Sequence, residues 1–145
     1  MTDTPRLSPA SFTGLAAFVP IFEDPAFVFG AWNTRTKSQP GVVSEPMYIL
    51  SEPAHRFYRA VYELGWILTD FDWPRWMSGE EAQRLTHDAE AVDAASPEQL
   101  ARLLTAMVRS DRFCEGALAG CHESGLIIRI LRRVQALAET DPDAG

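Results

Sequence analysis

Residues 96–108 read Ser96-Pro97-Glu98-Gln99-Leu100-Ala101-Arg102-Leu103-Leu104-Thr105-Ala106-Met107-Val108, and this stretch decides the fold class. Ser96 has the chemistry of an N-cap, because its hydroxyl can accept a free amide of the first turn. Pro97 follows at the first helical position, where its missing N–H costs nothing. Gln99 stands three residues after Ser96, the spacing of a capping box. Leu100, Leu103, Leu104, Met107 and Val108 then recur at i, i+3, i+4 and i+7, which lines them along one face of a helix. Such a stripe must be buried against other elements.

The same grammar repeats outward along the chain. Ser8-Pro9 opens a run with Phe12, Leu15, Ala16, Val19 and Phe22 at helical spacing, in which Pro20 ends or kinks the helix. Ser51-Glu52-Pro53 precedes the stripe Ala54, Phe57, Tyr58, Val61, Tyr62 and Leu64, with Gly65 placed as a C-terminal stop. Ser78-Gly79-Glu80-Glu81 has capping-box spacing and leads into Ala82, Leu85 and Ala89. Asp111 can cap a helix from Arg112 towards Cys121, in which Gly116 and Gly120 share a face and predict a close backbone neighbour. The last helix carries Leu126, Ile127, Ile130, Leu131, Val134 and Leu137 on one side, with Arg129, Arg132, Arg133 and Gln135 on the other. Phe27–Trp32 and Pro46–Leu50 are short and extended in character, and Asn33–Glu45, with its Pro40-Gly41 turn, reads as an exposed loop. The expected architecture is mainly α: a single compact helical domain over 8–138, with five to six helices and one or two short extended segments in the N-terminal half. Flexible tails are expected at 1–7 and 139–145.

Composition limits the function classes. The 145 residues are 46% hydrophobic and 23% charged, which excludes a chain too polar to fold. No apolar run approaches the roughly 18–20 residues needed to span a bilayer. A net charge of −7 argues against direct binding to a nucleic-acid backbone. Met1-Thr2-Asp3-Thr4-Pro5 has neither the basic start nor the apolar centre of a signal peptide, so a cytoplasmic location is expected. Lys37 is the only lysine among thirteen basic residues, a coding bias of GC-rich bacterial genomes.

Three clusters could carry chemistry. The first is Asp70-Phe71-Asp72-Trp73-Pro74-Arg75-Trp76. Here Trp73 and Trp76 either plug a helix junction, with Asp72 capping the turn, or wall a pocket against the Asp72 carboxylate. The second is Arg109-Ser110-Asp111-Arg112-Phe113-Cys114-Glu115-Gly116. It reads as a capped corner with an Arg112–Glu115 ion pair, or as an anion- or metal-binding corner. The third is Cys121-His122-Glu123. The seven-residue gap back to Cys114 is not zinc-ligand spacing, and two turns of one helix hold the thiols roughly 10 Å apart, too far for a disulfide. Cys121 and His122 point about 100° apart on a helix, which makes a poor nucleophile–base pair. The arginine face of the last helix reads as a solvated face, or as one that pairs with an acidic partner or with the chain's own acidic half. No phosphate loop, His-Glu-x-x-His or Gly-x-Ser-x-Gly motif occurs. No catalytic residue, metal ligand or cofactor is therefore assigned.

The runs "FVPIFEDPAFVFGAW", "YILSEPAHRFYRAVYELGWIL", "DFDWPRW" and "LLTAMVRSDRFCEGALAGCHESGLIIRILRR" resemble an uncharacterised family of small bacterial proteins that carry a domain of unknown function. The resemblance spans about Leu15 to Arg133. It implies no activity, but it favours treating Asp72, Trp73, Trp76, Asp111, Arg112, Phe113, Glu115, Gly116 and Glu123 as one unit.

The leading expectation is a non-catalytic binding module for a protein or a small polar ligand. Its contact residues would be Asp72, Trp73, Trp76, Arg109, Asp111, Arg112, Glu115 and Glu123. The first alternative is a small hydrolase or transferase in which Asp72, Asp111, Glu115 and Glu123 converge on Mg²⁺. The second is an acidic regulator or decoy of a nucleic-acid enzyme, acting through the negative charge outside the last helices.

Overall fold

A computed structural model describes residues 7–33, 47–111 and 116–140. Within them lie α1 (Pro9–Ala16), α2 (Val19–Glu23), β1 (Gly30–Asn33), β2 (Met47–Leu50), α3 (Glu52–Glu63), α4 (Trp73–Met77), α5 (Glu80–His87), α6 (Ala89–Asp93), α7 (Pro97–Ser110), α8 (Ala117–Glu123) and α9 (Leu126–Thr140). The fold is mainly α, with one two-stranded antiparallel sheet among the described residues. Most of the expected Asn33–Glu45 loop lies outside the described residues, although Asn33 itself ends β1. Of the expected tails, Leu7 packs against the core, and Glu139 and Thr140 belong to α9.

More helices form than the five or six expected, because polar and proline punctuation divides the runs. Pro20 has no amide to continue the first helix, so α1 ends at Ala16 and Pro20 sits in the first turn of α2. The run through 80–89 breaks at Asp88, whose carboxylate accepts the Glu90 amide at 3.0 Å and caps α6. One turn of helix, α4, forms where Asp72 accepts the Arg75 amide at 3.3 Å.

The centre of the core is α7. Its capping box forms as the sequence predicts: Ser96 Oγ accepts the Gln99 amide at 3.2 Å, and Gln99 Oε1 accepts the Ser96 amide at 3.0 Å. The predicted stripe is buried, and so are Ala101, Thr105 and Ala106, so this helix is enclosed on nearly every side. Beside the core, α9 packs along α1, α2, α6 and α8. Its Ile127, Ile130, Leu131 and Val134 are fully buried.

After Gly65 ends α3 at φ +87°, the chain runs through the core as an extended segment. Trp66 is completely buried there. Its indole N–H donates to the Ser11 carbonyl at 3.1 Å, and its ring meets Phe12 edge-on at 5.3 Å. The Ser11 hydroxyl donates to the Leu64 carbonyl at 2.6 Å and accepts the Ser8 amide at 3.0 Å. On the other side, Thr105 Oγ1 accepts the Leu68 amide at 3.0 Å and donates to the Trp66 carbonyl at 3.4 Å. One hydroxyl in the middle of α7 thus holds both ends of the crossing.

Thr105→Val keeps the side-chain shape and removes that hydroxyl. Leaving the Leu68 amide buried without an acceptor costs about 1–3 kcal/mol. Urea unfolding reads this as a lower midpoint at constant slope. A wild-type midpoint would mean that the Leu68 amide finds another acceptor.

Candidate functional site

The hairpin sets Trp32 opposite Tyr48 and Ala31 opposite Ile49. Side chains alternate across a strand, so Trp32 and Tyr48 share one face while Ala31 and Ile49 share the other. The first face turns towards the start of α8. Trp32 lies on Gly116, where an added Cβ would come within 2.5 Å of the indole Cζ2. Gly116 also holds φ +85°, in the left-handed region, as the residue that opens α8. Trp32 meets Tyr48 edge-on at 5.4 Å, and the Tyr48 ring lies over Gly30, where a Cβ would come 2.6 Å from its Cε1.

The segment leading into β1 grips α8 through His122. The imidazole stacks on Phe29 at 4.7 Å and 12°, and meets Phe27 at 5.4 Å and Phe22 at 5.9 Å edge-on. His122 Nδ1 is buried with no hydrogen-bond partner. Burial lowers the His122 pKa below its ordinary value, and the neighbouring Glu123 carboxylate opposes that only in part. The Tyr48 phenol is raised, first by burial and then by Glu123. Cys121 is pushed up to about 11 by burial, with the Asp111 carboxylate adding to the effect. At neutral pH its thiol stays protonated, which is the wrong state for a nucleophile or a metal ligand.

The predicted contact residues divide between two places. Asp111 ends α7, and its Oδ1 accepts the Leu118 amide at 3.0 Å, so it caps the next helix as the sequence indicates. Among the described residues that helix runs from Ala117, with Gly116 in the left-handed region ahead of it. Gly116 and Gly120 therefore do not mark one packed helical face. Gly120 has no atom within 4 Å of where a Cβ would stand, while Gly116 is covered by Trp32. Arg109 is half-buried in the last turn of α7, and Glu123 is exposed at the end of α8. Arg112 and Glu115, with Phe113 and Cys114, lie outside the described residues.

Asp72, Trp73 and Trp76 belong to α4 and its cap. The Trp76 indole N–H donates to Glu81 Oε1 at 2.7 Å. Glu81 also accepts from Arg102 at 3.0 Å and from Gln99 at 3.2 Å. Burial works to raise the Glu81 pKa, but the Trp76, Gln99 and Arg102 contacts outweigh it and hold the carboxyl below its ordinary value. Gln99 and Arg102 sit in the first turns of α7, and Asp111 closes its far end. At 1.5 Å per residue, roughly 13 Å of helix separates Arg102 from Asp111. The polar contacts of Trp76 and of Asp111 are thus not brought to one point. Among the described residues, no group of three His, Cys, Asp or Glu side chains could hold a metal.

Sequence reasoning missed Glu81 as the partner of Trp76, and Trp32, Tyr48 and Phe29 as the partners of α8. The aromatic run Phe27–Trp32 was the available signal for the second group.

On the hairpin face away from Trp32 and Tyr48, Ile49 is open to solvent. Val28, Ile49 and Trp32 are the exposed large hydrophobics among the described residues, at 62%, 51% and 49%. Beside Val28 runs a groove of about 480 Å³, lined by Pro20, Ile21, Phe27, Val28 and Pro53 with Asp24 at its rim.

The chain belongs to a family of unknown function, DUF6508, whose family model matches residues 7–140. The resemblance noted in the sequence thus extends over nearly the whole chain. No curated protein and no solved structure matches it.

Two measurements test this geometry. Because the folded His122 resists protonation, its contribution is complete above the unfolded value of about 6.5 and shrinks as pH falls below it. Melting temperature should therefore drop between about pH 7 and pH 5.5, and His122→Phe should flatten that slope; equal slopes in both proteins would contradict the buried imidazole. Gly116→Ala should lose at least about 1–2 kcal/mol from the left-handed backbone alone. Its penalty should be smaller in a Trp32→Ala background, where the steric part is gone; equal penalties in the two backgrounds would mean that Trp32 does not lie on Gly116.

Proposed function

We propose that the protein is a non-catalytic binding module of the bacterial cytoplasm, and that it captures an apolar segment of a partner protein on the open face of the hairpin arm. One observation carries this reading: Val28 and Ile49, on the arm between α2 and α3, are the most exposed large hydrophobics of the described residues, and Val28 lines an apolar groove there. Apolar exposure beside an apolar groove is unfavourable in water and marks contact surfaces. The groove beside it is held in shape before any partner arrives, because Phe27 stacks on Phe22 at 4.4 Å and 23°. A preformed wall reduces the ordering cost of binding. Asp24 Oδ1 accepts the Ala26 amide at 2.9 Å, which leaves its other oxygen for a donor on the bound segment.

The titratable groups support binding over catalysis. Cys121 is protonated at neutral pH, and the Asp72 and Asp111 carboxylates each hold a helix amide. In this proposal Trp76, Glu81 and Asp111 serve the scaffold that carries the arm. No helix among the described residues is long and apolar enough to cross a membrane.

A photo-crosslinking residue at position 28, in cells that make the protein, should give one recurrent protein adduct. That adduct should vanish in the Ile49→Asp variant. With the purified partner, Ile49→Asp should weaken binding by about tenfold or more, the loss expected from one half-exposed apolar contact turned into a charge. Adducts at exposed Arg59 but none at position 28 would move the contact surface elsewhere and overturn the proposal.

A further inference from the structure

The arginine face of α9 is the sequence feature that the hairpin arm leaves unused. Arg132 is bound to Glu23, with Nη2 at 2.6 Å and Nε at 2.7 Å from its Oε2. Arg133 Nε donates to the Ala95 carbonyl at 2.9 Å. The Arg129 guanidinium, about one turn nearer the start of α9, makes no such contact among the described residues. It lines a cavity of about 160 Å³ between α5, α6 and α9, together with His87, Thr86 and Ser124 over Leu85 and Val92. No acidic side chain lines this cavity among the described residues, although the chain has 20 Asp and Glu against 13 Lys and Arg.

We propose that this cavity is a subsite for a small oxyanion of the phosphate class. A guanidinium offers a planar fork of N–H donors matched to two oxygens of one anion, and an imidazole can add a further donor. The two hydroxyls do not compete for that role: Thr86 Oγ1 donates to the Ala82 carbonyl at 2.8 Å, and Ser124 Oγ to the Cys121 carbonyl at 3.0 Å. Arg129 and His87 therefore do the binding, and the hydroxyls shape the walls. Size sets the ligand class. A cavity of about 160 Å³ is well below the roughly 300 Å³ at which pockets enclose a drug-sized molecule. It admits a free phosphate or the headgroup of a phosphomonoester, not a whole nucleotide. An exposed guanidinium beside an exposed imidazole gives a weak and salt-sensitive site.

The test is a titration of inorganic phosphate into the full chain, followed by amide shifts in NMR against chloride at matched ionic strength. Saturable shifts at Thr86, His87, Ser124 and Arg129 are expected, in the millimolar range. Arg129→Gln should weaken the binding by about tenfold, His87→Gln should weaken it less, and Arg75→Gln on α4 should leave it unchanged. A parallel titration with glycerol phosphate separates the sources: tighter binding than phosphate identifies an ester, and equal binding identifies the free ion. Shifts that never saturate, or binding that Arg129→Gln leaves intact, would overturn the proposal. His87→Gln probes the same site should Arg129→Gln alter the fold. Neither residue lies on the hairpin arm, so failure here leaves the crosslinking result standing.

Discussion

The hydroxyl of Thr105 fixes where the chain crosses its own core. A helix enclosed on nearly every side, as α7 is, normally presents only apolar atoms to its neighbours. An extended segment that passes through such surroundings brings amides and carbonyls that need partners. Thr105 meets that need at a single position, with an acceptor for Leu68 and a donor for Trp66. The net value of each bond is about 1 kcal/mol, which by itself would not justify a buried hydroxyl. Its importance lies in the alternative, because any shifted register would bury unpaired backbone groups at about 1–3 kcal/mol each. With residues 66–68 so fixed, the Trp66 indole reaches Ser11 and holds α1 against the exit from α3.

The parts of this fold that can be read from the sequence are those whose burial is one-sided and whose ends are capped by local chemistry. For α3, α7 and α9 the apolar stripes name the buried face, and Ser51 and Gly65 bound α3 while Ser96 starts α7. Trp66 could not be read in the same way, since it belongs to no periodic run and its partners lie 55 and 39 residues away. The start of α8 fails for a different reason. Arg112–Cys121 is rich in small residues, and a glycine kept for a left-handed turn looks like one kept for close packing. Only the φ of Gly116 separates the two. At the candidate site, sequence neighbours were a poor guide to spatial ones. Asp72, adjacent to the tryptophans, caps its own turn, while the carboxylate that meets Trp76 is Glu81 from the next helix.

The hairpin depends on this framework more than any other element. Two four-residue strands are marginal in water without a partner surface. Here α8 supplies that surface, through Gly116 beneath Trp32 and through His122 against Phe29. In turn α8 is anchored to α7 by the Asp111 carboxylate on the Leu118 amide. Order thus passes from the enclosed α7 to α8, and from α8 to the arm.

That sequence of supports explains why the arm can keep an apolar outer face. A hairpin held only by its own ladder would need to bury Ile49, because those contacts would be part of its stability. This one is fixed by Trp32 and Tyr48 on one face and by the Phe22, Phe27 and Phe29 rings of the segment ahead of it, which pack on the His122 imidazole. The outward side chains are then released from any folding duty. Within the ladder, alternation sends Ile49 to the face away from Trp32 and Tyr48. An apolar side chain that folding does not require to be buried is what the proposed capture of a partner segment would use.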